Sequence, residues 1–438
     1  MPVSPARSAA FDILLQVERE DSYASELLHA SRYGYLSEED HGLATELVMG
    51  ALRWRSRLDQ RIAACSTQPL ERLDVEVLTA LRLAAYQVAF LERVPARAAV
   101  HESVELVKRA RKRSAGPFVN AVLRKFVEIN PRFSATSNSE VLAESYAHPR
   151  WLVERWVENL GRTAAEKVCR FDQSIPEIAI RLRGASVEAD LSAEGIRLSP
   201  GTLLRSARRV DSGQITKTRA CTEGRVVVQD EASQLVALLL GRGIRILDCC
   251  AAPGGKTRVL ADRNPEATIT AVELYPHRAR LLQKLIHAAN VKVILADIRK
   301  LPVQEPFDRV LADVPCSGTG TLARHPEIKW RLKPEDLSDL QSRQIAILES
   351  ALQHLAPGGR LVYSTCSLEP EENSQVVETV LADSSLRRID CREELQRLRA
   401  ENELVSDHLD SLVSGPYLRT IPGVHPCDGF FAAILQKS

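Results

Sequence analysis

The stretch "IRILDCCAAPGGKT" (Ile244–Thr257) decides how this chain is read. Its first five residues alternate in favour of a buried strand and end on an acid, Asp248. A tight Pro-Gly-Gly turn follows, and Lys256-Thr257 opens a helical pattern. Further strand candidates are "TITAVE" (Thr268–Glu273), "VKVILAD" (Val291–Asp297), "RVLAD" (Arg309–Asp313) and "GRLVYST" (Gly359–Thr365), with helical stretches between most of them. Strands alternating with helices predict an α/β domain with a mostly parallel sheet covered on both faces, from about residue 226 to the end.

Ligand chemistry gathers where such strands end. The Gly-Lys-Thr ending invites a phosphate-loop reading, but that motif needs glycine where this chain has Cys250, and the pattern G-x-G-x-x-G is absent too. Residues Cys250, Ala251, Ala252, Pro253, Gly254, Gly255 and Lys256 remain as a cradle that lets a ligand approach the backbone closely. Glu273 is placed to hold two ribose hydroxyls, and Asp297 to accept from an adenine amino group. Asp313 ends the next strand beside Cys316. One strand-end acid is readily a turn residue or helix cap, but three at successive strand ends after a glycine-rich turn make a site. This acidic lining repels a polyphosphate and suits a cofactor with ribose, adenine and a cationic centre, which selects S-adenosylmethionine.

The remaining sequence sets the context. The 438 residues carry 58 Lys+Arg against 57 Asp+Glu, so net charge neither suggests nor excludes a nucleic-acid partner. No secretory leader and no membrane-length apolar run is visible. The nine cysteines are scattered without a C-x-x-C pair, which argues against a disulfide framework and against a metal site. A cytoplasmic protein with reduced thiols is expected. Residues 1–135 read as successive helices, with stripes such as Leu81, Ala85, Val88 and Leu91, or Val119, Val122, Leu123 and Phe126. "INPRFSATSNSE" (Ile129–Glu140) reads as a linker, and 141–225 as a small α+β connector before the catalytic domain, 226–438.

Two similar stretches, "LADVPCSGTG" (Leu311–Gly320) and "LVYSTCSLEP" (Leu361–Pro370), put Cys316 and Cys366 at strand ends. The other cysteines Cys65, Cys169, Cys221, Cys391 and Cys427 read as small hydrophobes.

Together "DCCAAPGGKT", "DVPCSGTGTLARHPEIKW" and "LAPGGRLVYSTCSLEPEEN" resemble the signature motifs of the Sun-type RNA cytosine-5 methyltransferases. The segment "LRLAAYQVAFLERVPARAAVHESVELVKRARKRSAGPFVNAVLRKF" is similar to the helical domain of the antitermination factor NusB. The resemblance extends to "DGFFAAILQK" near the end. It implies an all-α NusB-like bundle, a connector and a Rossmann-like S-adenosylmethionine-dependent methyltransferase domain, in the branch that methylates cytosine 967 of 16S rRNA. It also implies that Cys366 attacks the base and Cys316 assists release, the reverse of the DNA enzymes, in which the Pro-Cys cysteine attacks. Asp313 would hold the cytosine edge or the methionine amino group. One departure is Val314, where the family usually has alanine.

A target base must leave its stack, and backbone contacts offset that cost. The basic run Lys108, Arg109, Arg111, Lys112 and Arg113, with "RSARR" (Arg205–Arg209) and "KTR" (Lys217–Arg219), forms a candidate RNA track; His325 and Lys329 in "RHPEIKW" are candidate contacts near the target loop. The rival readings are a cytosine-5 enzyme for another RNA or DNA, and a non-catalytic ribosome-assembly factor. The presence of both cysteines and the carboxylates weighs against the second.

Overall fold

The computed structural model describes residues 3–20, 22–129, 142–184, 186–303, 305–382 and 386–438. The expected linker lies, from Asn130 onward, outside the described residues. The chain forms two compact units, one of residues 1–175 with 322–331 and one of residues 176–321 with 332–438. The span 141–225, read above as one connector, is divided between them.

The first unit is helical. Pro5–Arg19, Glu38–Arg53, Arg55–Cys65, Val75–Phe90, Ala96–Arg109 and Gly116–Glu128 pack a core that buries Phe11, Leu47, Leu58, Ile62, Leu81, Leu106 and Phe126. Ser4 and Ser37 cap two of these helices by accepting from the N–H groups of Arg7 and Asp40, which satisfies donors the helix leaves free. Helices Arg150–Leu160 and Arg162–Asp172 add a second layer around buried Trp156. The unit also contains Leu322–Arg331, whose sequence neighbours belong to the other unit.

The second unit holds two sheets. The smaller is antiparallel, in the order β2 (Arg197–Pro200), β3 (Ala207–Ser212), β1 (Ile178–Leu182) and β4 (Val226–Val228). The larger contains β5 (Arg245–Asp248), β6 (Thr268–Glu273), β7 (Val291–Leu295), β8 (Phe307–Asp313), β9 (Leu355–Thr365), β10 (Leu386–Ile389), β11 (Val413–Ser414), β12 (Tyr417–Thr420) and β13 (Phe430–Lys437). Its order is β11-β12-β13-β9-β8-β5-β6-β7, with β10 also paired to β13. All five expected strands are present and parallel, from β7 to β9.

The other side of the sheet corrects the mostly parallel expectation. Strands β10 to β13 are antiparallel, and β13 pairs with β9 through Phe431 opposite Thr365. The short connection from β12 to β13 cannot hold the crossover that a parallel pair requires. Phe430 to Leu435 are all buried, so β13 is an interior strand of the sheet.

Candidate active site

Register brings the two cysteines together. Strands β8 and β9 are adjacent and parallel, with Asp313 opposite Ser364. Cys316 and Cys366 follow within three residues and emerge at the same carboxyl edge. Their Sγ atoms are 3.3 Å apart. The loops behind them are joined where Gly320 N–H donates to the Cys366 carbonyl at 2.8 Å. A Cβ on Gly320 would lie 2.8 Å from that carbonyl oxygen and 2.3 Å from the Gly429 oxygen, so the approach requires glycine. The hydrogen bond to Cys366, followed by burial, pushes the Cys316 thiol well above the usual range. Cys65, Cys169, Cys391 and Cys427 are buried, and Cys221 packs partly buried against the core of the small sheet.

Beside the sulfurs, Asp313 is held on both oxygens. Lys256 Nζ lies 2.8 Å from Oδ2, and Ser364 Oγ donates to Oδ1 at 2.7 Å. Lys256, expected with the cofactor cradle, therefore joins the carboxylate next to the thiols. Its ammonium also sits over the Phe430 ring, 4.8 Å from the centroid.

The glycine-rich turn forms a cradle between β5 and the helix Gly255–Arg263. Gly254 is left-handed, with φ +109°, and a Cβ there would approach the Leu282 side chain to 2.8 Å. The carbonyl of Ala252 accepts from Arg278 at 3.1 Å. Asp248, not singled out from sequence, is fully buried, and its Oδ2 accepts from Thr257 Oγ1 at 2.7 Å. Burial is the main cause that pushes its carboxyl up to about 7. Burial likewise raises the thiol of Cys250. Glu273 ends β6 as expected and accepts from Tyr275 N–H at 2.9 Å. Asp297 lies just past β7, and bonds from Arg299 at 2.7, 2.9 and 3.0 Å hold it below the usual carboxylate range.

A buried acid beneath the cysteines escaped sequence reading altogether. Glu372 is 0% exposed and accepts from Ser317 and Ser367, the residues that follow Cys316 and Cys366. Its neighbours Glu369 and Glu371 give the local sequence the look of a solvated acidic turn, so no local pattern singled it out.

The RNA candidates divide. Lys108, Arg109, Arg111 and Arg113 are exposed on the first unit, and Lys112 is partly exposed. Lys108, Arg109 and Lys112 also pair with Glu105, Asp12 and Asp74. Arg208, Arg209 and Arg219 are engaged by Glu188, Glu177 and Glu223. The expectation for Lys329 is overturned. It is 1% exposed, and its ammonium donates to the carbonyls of Arg53 and Ala147 at 3.0 Å each, so it has no surface to offer RNA. His325 is half-buried, with its ring edge-on to Tyr23 and Nδ1 3.4 Å from Ser25 Oγ; burial pulls it down to about 4. Within "RHPEIKW", Lys329 anchors the segment inside the helical unit, whereas Arg324 and His325 are half-buried.

Among the described residues, no group of His, Cys, Asp or Glu could hold a metal ion, and no helix is long and apolar enough to cross a membrane. Comparison with known proteins agrees with the geometry. Residues 236–436 match the family described as 16S rRNA methyltransferase RsmB/F, and residues 4–128 match the NusB family. The chain is 33% identical to the probable ribosomal RNA small subunit methyltransferase B of Bacillus subtilis, with 100% of both chains covered. It is 32% identical to the ribosomal RNA small subunit methyltransferase B of Vibrio cholerae, covering 98% of this chain and 97% of that one. The crystal structure of PH0851 has the same fold, with a TM-score of 0.82, 24% identity and 100% coverage of both chains. Taken together, these matches show that the chain belongs to the RsmB/F family of 16S rRNA methyltransferases.

Proposed function

We propose that this protein methylates C5 of a cytosine in 16S rRNA, at position 967 by its resemblance, through a covalent bond between Cys366 and C6 of the base. The observation that carries the reading is the pair of sulfurs 3.3 Å apart beside the Asp313–Lys256 pair. Addition of the Cys366 thiolate to C6 makes C5 nucleophilic, with charge developing at N3. Asp313, oriented by Ser364 and Lys256, accepts from that edge of the ring, from N3–H once N3 carries a proton. After C5 gains its methyl group, a base removes the C5 proton as the C6–S bond breaks and returns its electron pair to Cys366, a release that Cys316, by the resemblance, assists.

S-adenosylmethionine, the proposed cofactor, supplies the electrophilic methyl group when bound. The cradle suits it: the Gly254 backbone is bare, and Glu273 has spent only one oxygen on Tyr275 N–H. Asp297 holds the adenine end only by sharing its carboxylate with Arg299. Exposed Arg111 and Arg113 provide RNA backbone contacts on the NusB-like unit.

The test uses purified protein and 16S rRNA transcribed in vitro. Cys366→Ala abolishes methyl transfer while cofactor binding persists, and Cys316→Ala accumulates an enzyme–RNA adduct that migrates slowly on denaturing gels. Turnover by Cys366→Ala, or an adduct trapped by that variant instead, rejects the assigned roles. Bisulfite sequencing of the product locates the methylated cytosine.

A further inference from the structure

We infer that Glu372 is a positioning residue that fixes the two cysteine loops to each other and so sets the separation of their sulfurs. Glu372 closes the short turn Pro370–Glu372 after β9, and its side chain points back beneath the cysteines. Oε1 accepts from Ser317 N–H and from Gln344 Nε2, each at 2.8 Å. Oε2 accepts from Ser367 Oγ at 2.5 Å and from Ser317 Oγ. The two hydroxyl oxygens are themselves 3.0 Å apart. Gln344, from the helix Asp336–Gln353, completes the clamp by donating also to the Pro315 carbonyl at 3.0 Å.

One carboxylate therefore spans both loops. It holds Ser317 beside Cys316, Ser367 beside Cys366, and a helix that carries neither. A buried carboxylate is retained where its acceptor sites are filled, and here four neutral donors fill them. Without it, two serine hydroxyls, one backbone N–H and one amide lose a shared acceptor in an interior that admits little water. The two loops also meet through the Ser317–Ser367 contact, the Gly320 N–H bond to the Cys366 carbonyl and the Leu368 N–H bond to Thr319 Oγ1, but Glu372 is the acceptor that both serine hydroxyls share. A misplacement of reacting groups by about 1 Å costs on the order of 10²-fold in rate, so a clamp at this position bears directly on turnover. Glu372 touches neither sulfur and is not assigned any part in bond making.

This inference rests on the proposed function for its effect on turnover, but not for its effect on the sulfurs. The experiment compares full-length E372A, E372Q and the double variant S317A/S367A with wild type, using 16S rRNA transcribed in vitro. A second measurement, independent of catalysis, follows formation of the Cys316–Cys366 disulfide. The oxidant is oxidised dithiothreitol, which is reduced to the dithiol as the two thiols lose two protons and two electrons. For E372A and for S317A/S367A, kcat falls by about 10²-fold with KM for RNA nearly unchanged, and disulfide formation slows about tenfold. E372Q keeps the shape and the oxygen facing Ser317 N–H, and stays within about tenfold of wild type in both measurements.

Wild-type kcat and disulfide rate in both E372A and S317A/S367A would overturn the inference. So would loss of turnover in E372Q equal to that in E372A with an unchanged disulfide rate, which assigns the residue to charge instead of position. If E372A does not fold, S317A/S367A decides by the same two criteria. If Cys366→Ala turns over normally, the catalytic reading fails, yet the disulfide rates still judge the clamp.

Discussion

Replacing Lys329 by methionine tests the correction made to the RNA interface and exposes a buried titration. Lys329 lies within the helical unit, where burial is the main cause that draws its ammonium from 10.5 down to about 7. Asp172 and Cys169 raise it, and Arg53 lowers it. Because the folded-state value is depressed, the neutral amine is the form that folding favours. Its contribution is complete above 10.5 and is lost as pH falls through about 7. Between those limits the unfolded chain binds one more proton than the folded one, so unfolding free energy rises by about 1.4 kcal/mol per pH unit. From pH 7.5 to 9.5 the gain of wild type over Lys329→Met is therefore about 3 kcal/mol. In the folded state His148 is held well below this window by burial and the Cys169 thiol is lifted above it, and their unfolded-state titration is common to both proteins and cancels in the difference.

The assay is built into the sequence. Trp54, Trp151, Trp156 and Trp330 are all the tryptophans of the chain, and all four belong to the helical unit. Urea unfolding followed by tryptophan fluorescence at several pH values thus reports this unit. The variant also leaves the carbonyl of Ala147 without the Lys329 donor, a loss of about 1 to 3 kcal/mol, while the Arg53 carbonyl keeps its bond from Gln173 Nε2. Parallel pH profiles for the two proteins would refute the buried titration. A reduced salt dependence of RNA binding in Lys329→Met, with stability unchanged, would return the residue to the RNA surface.

Asp313→Asn leaves the Ser364 contact but loses the ion pair with Lys256; kcat is expected to fall about 10²- to 10³-fold, measured by tritiated methyl incorporation. Arg111→Glu with Arg113→Glu weakens binding of unmodified 16S rRNA, and each lost phosphate contact lowers the slope of log affinity against log salt by about 1; an unchanged slope removes this run from the interface. Gly320→Ala places a methyl against two carbonyls, and the resulting shift of the cysteine loops lowers kcat by about 10²-fold, while cofactor affinity measured by calorimetry is retained.

The sequence alone determined the strand–turn–helix units, because hydrophobic periodicity and Gly/Pro punctuation are local signals. For the same reason Glu273 and Asp313 were placed correctly: each terminates its own strand. The antiparallel flank β10 to β13 was not legible, since pairing partners are long-range and β13 meets β9 across more than sixty residues. Lys256 was assigned to the turn that contains it, whereas its ammonium reaches a strand end far along the chain at Asp313. Lys329 departs from the expectation because a charged motif looks the same on a surface as in an interior, and only packing shows from which residues water is removed. Glu372 was invisible for the opposite reason. An acid among acids carries no local mark, and its meaning comes from two loops that the register of β8 and β9 brings above it. Local chemistry thus fixed which residue types were available for a two-thiol reaction; strand register and burial decided which of them meet.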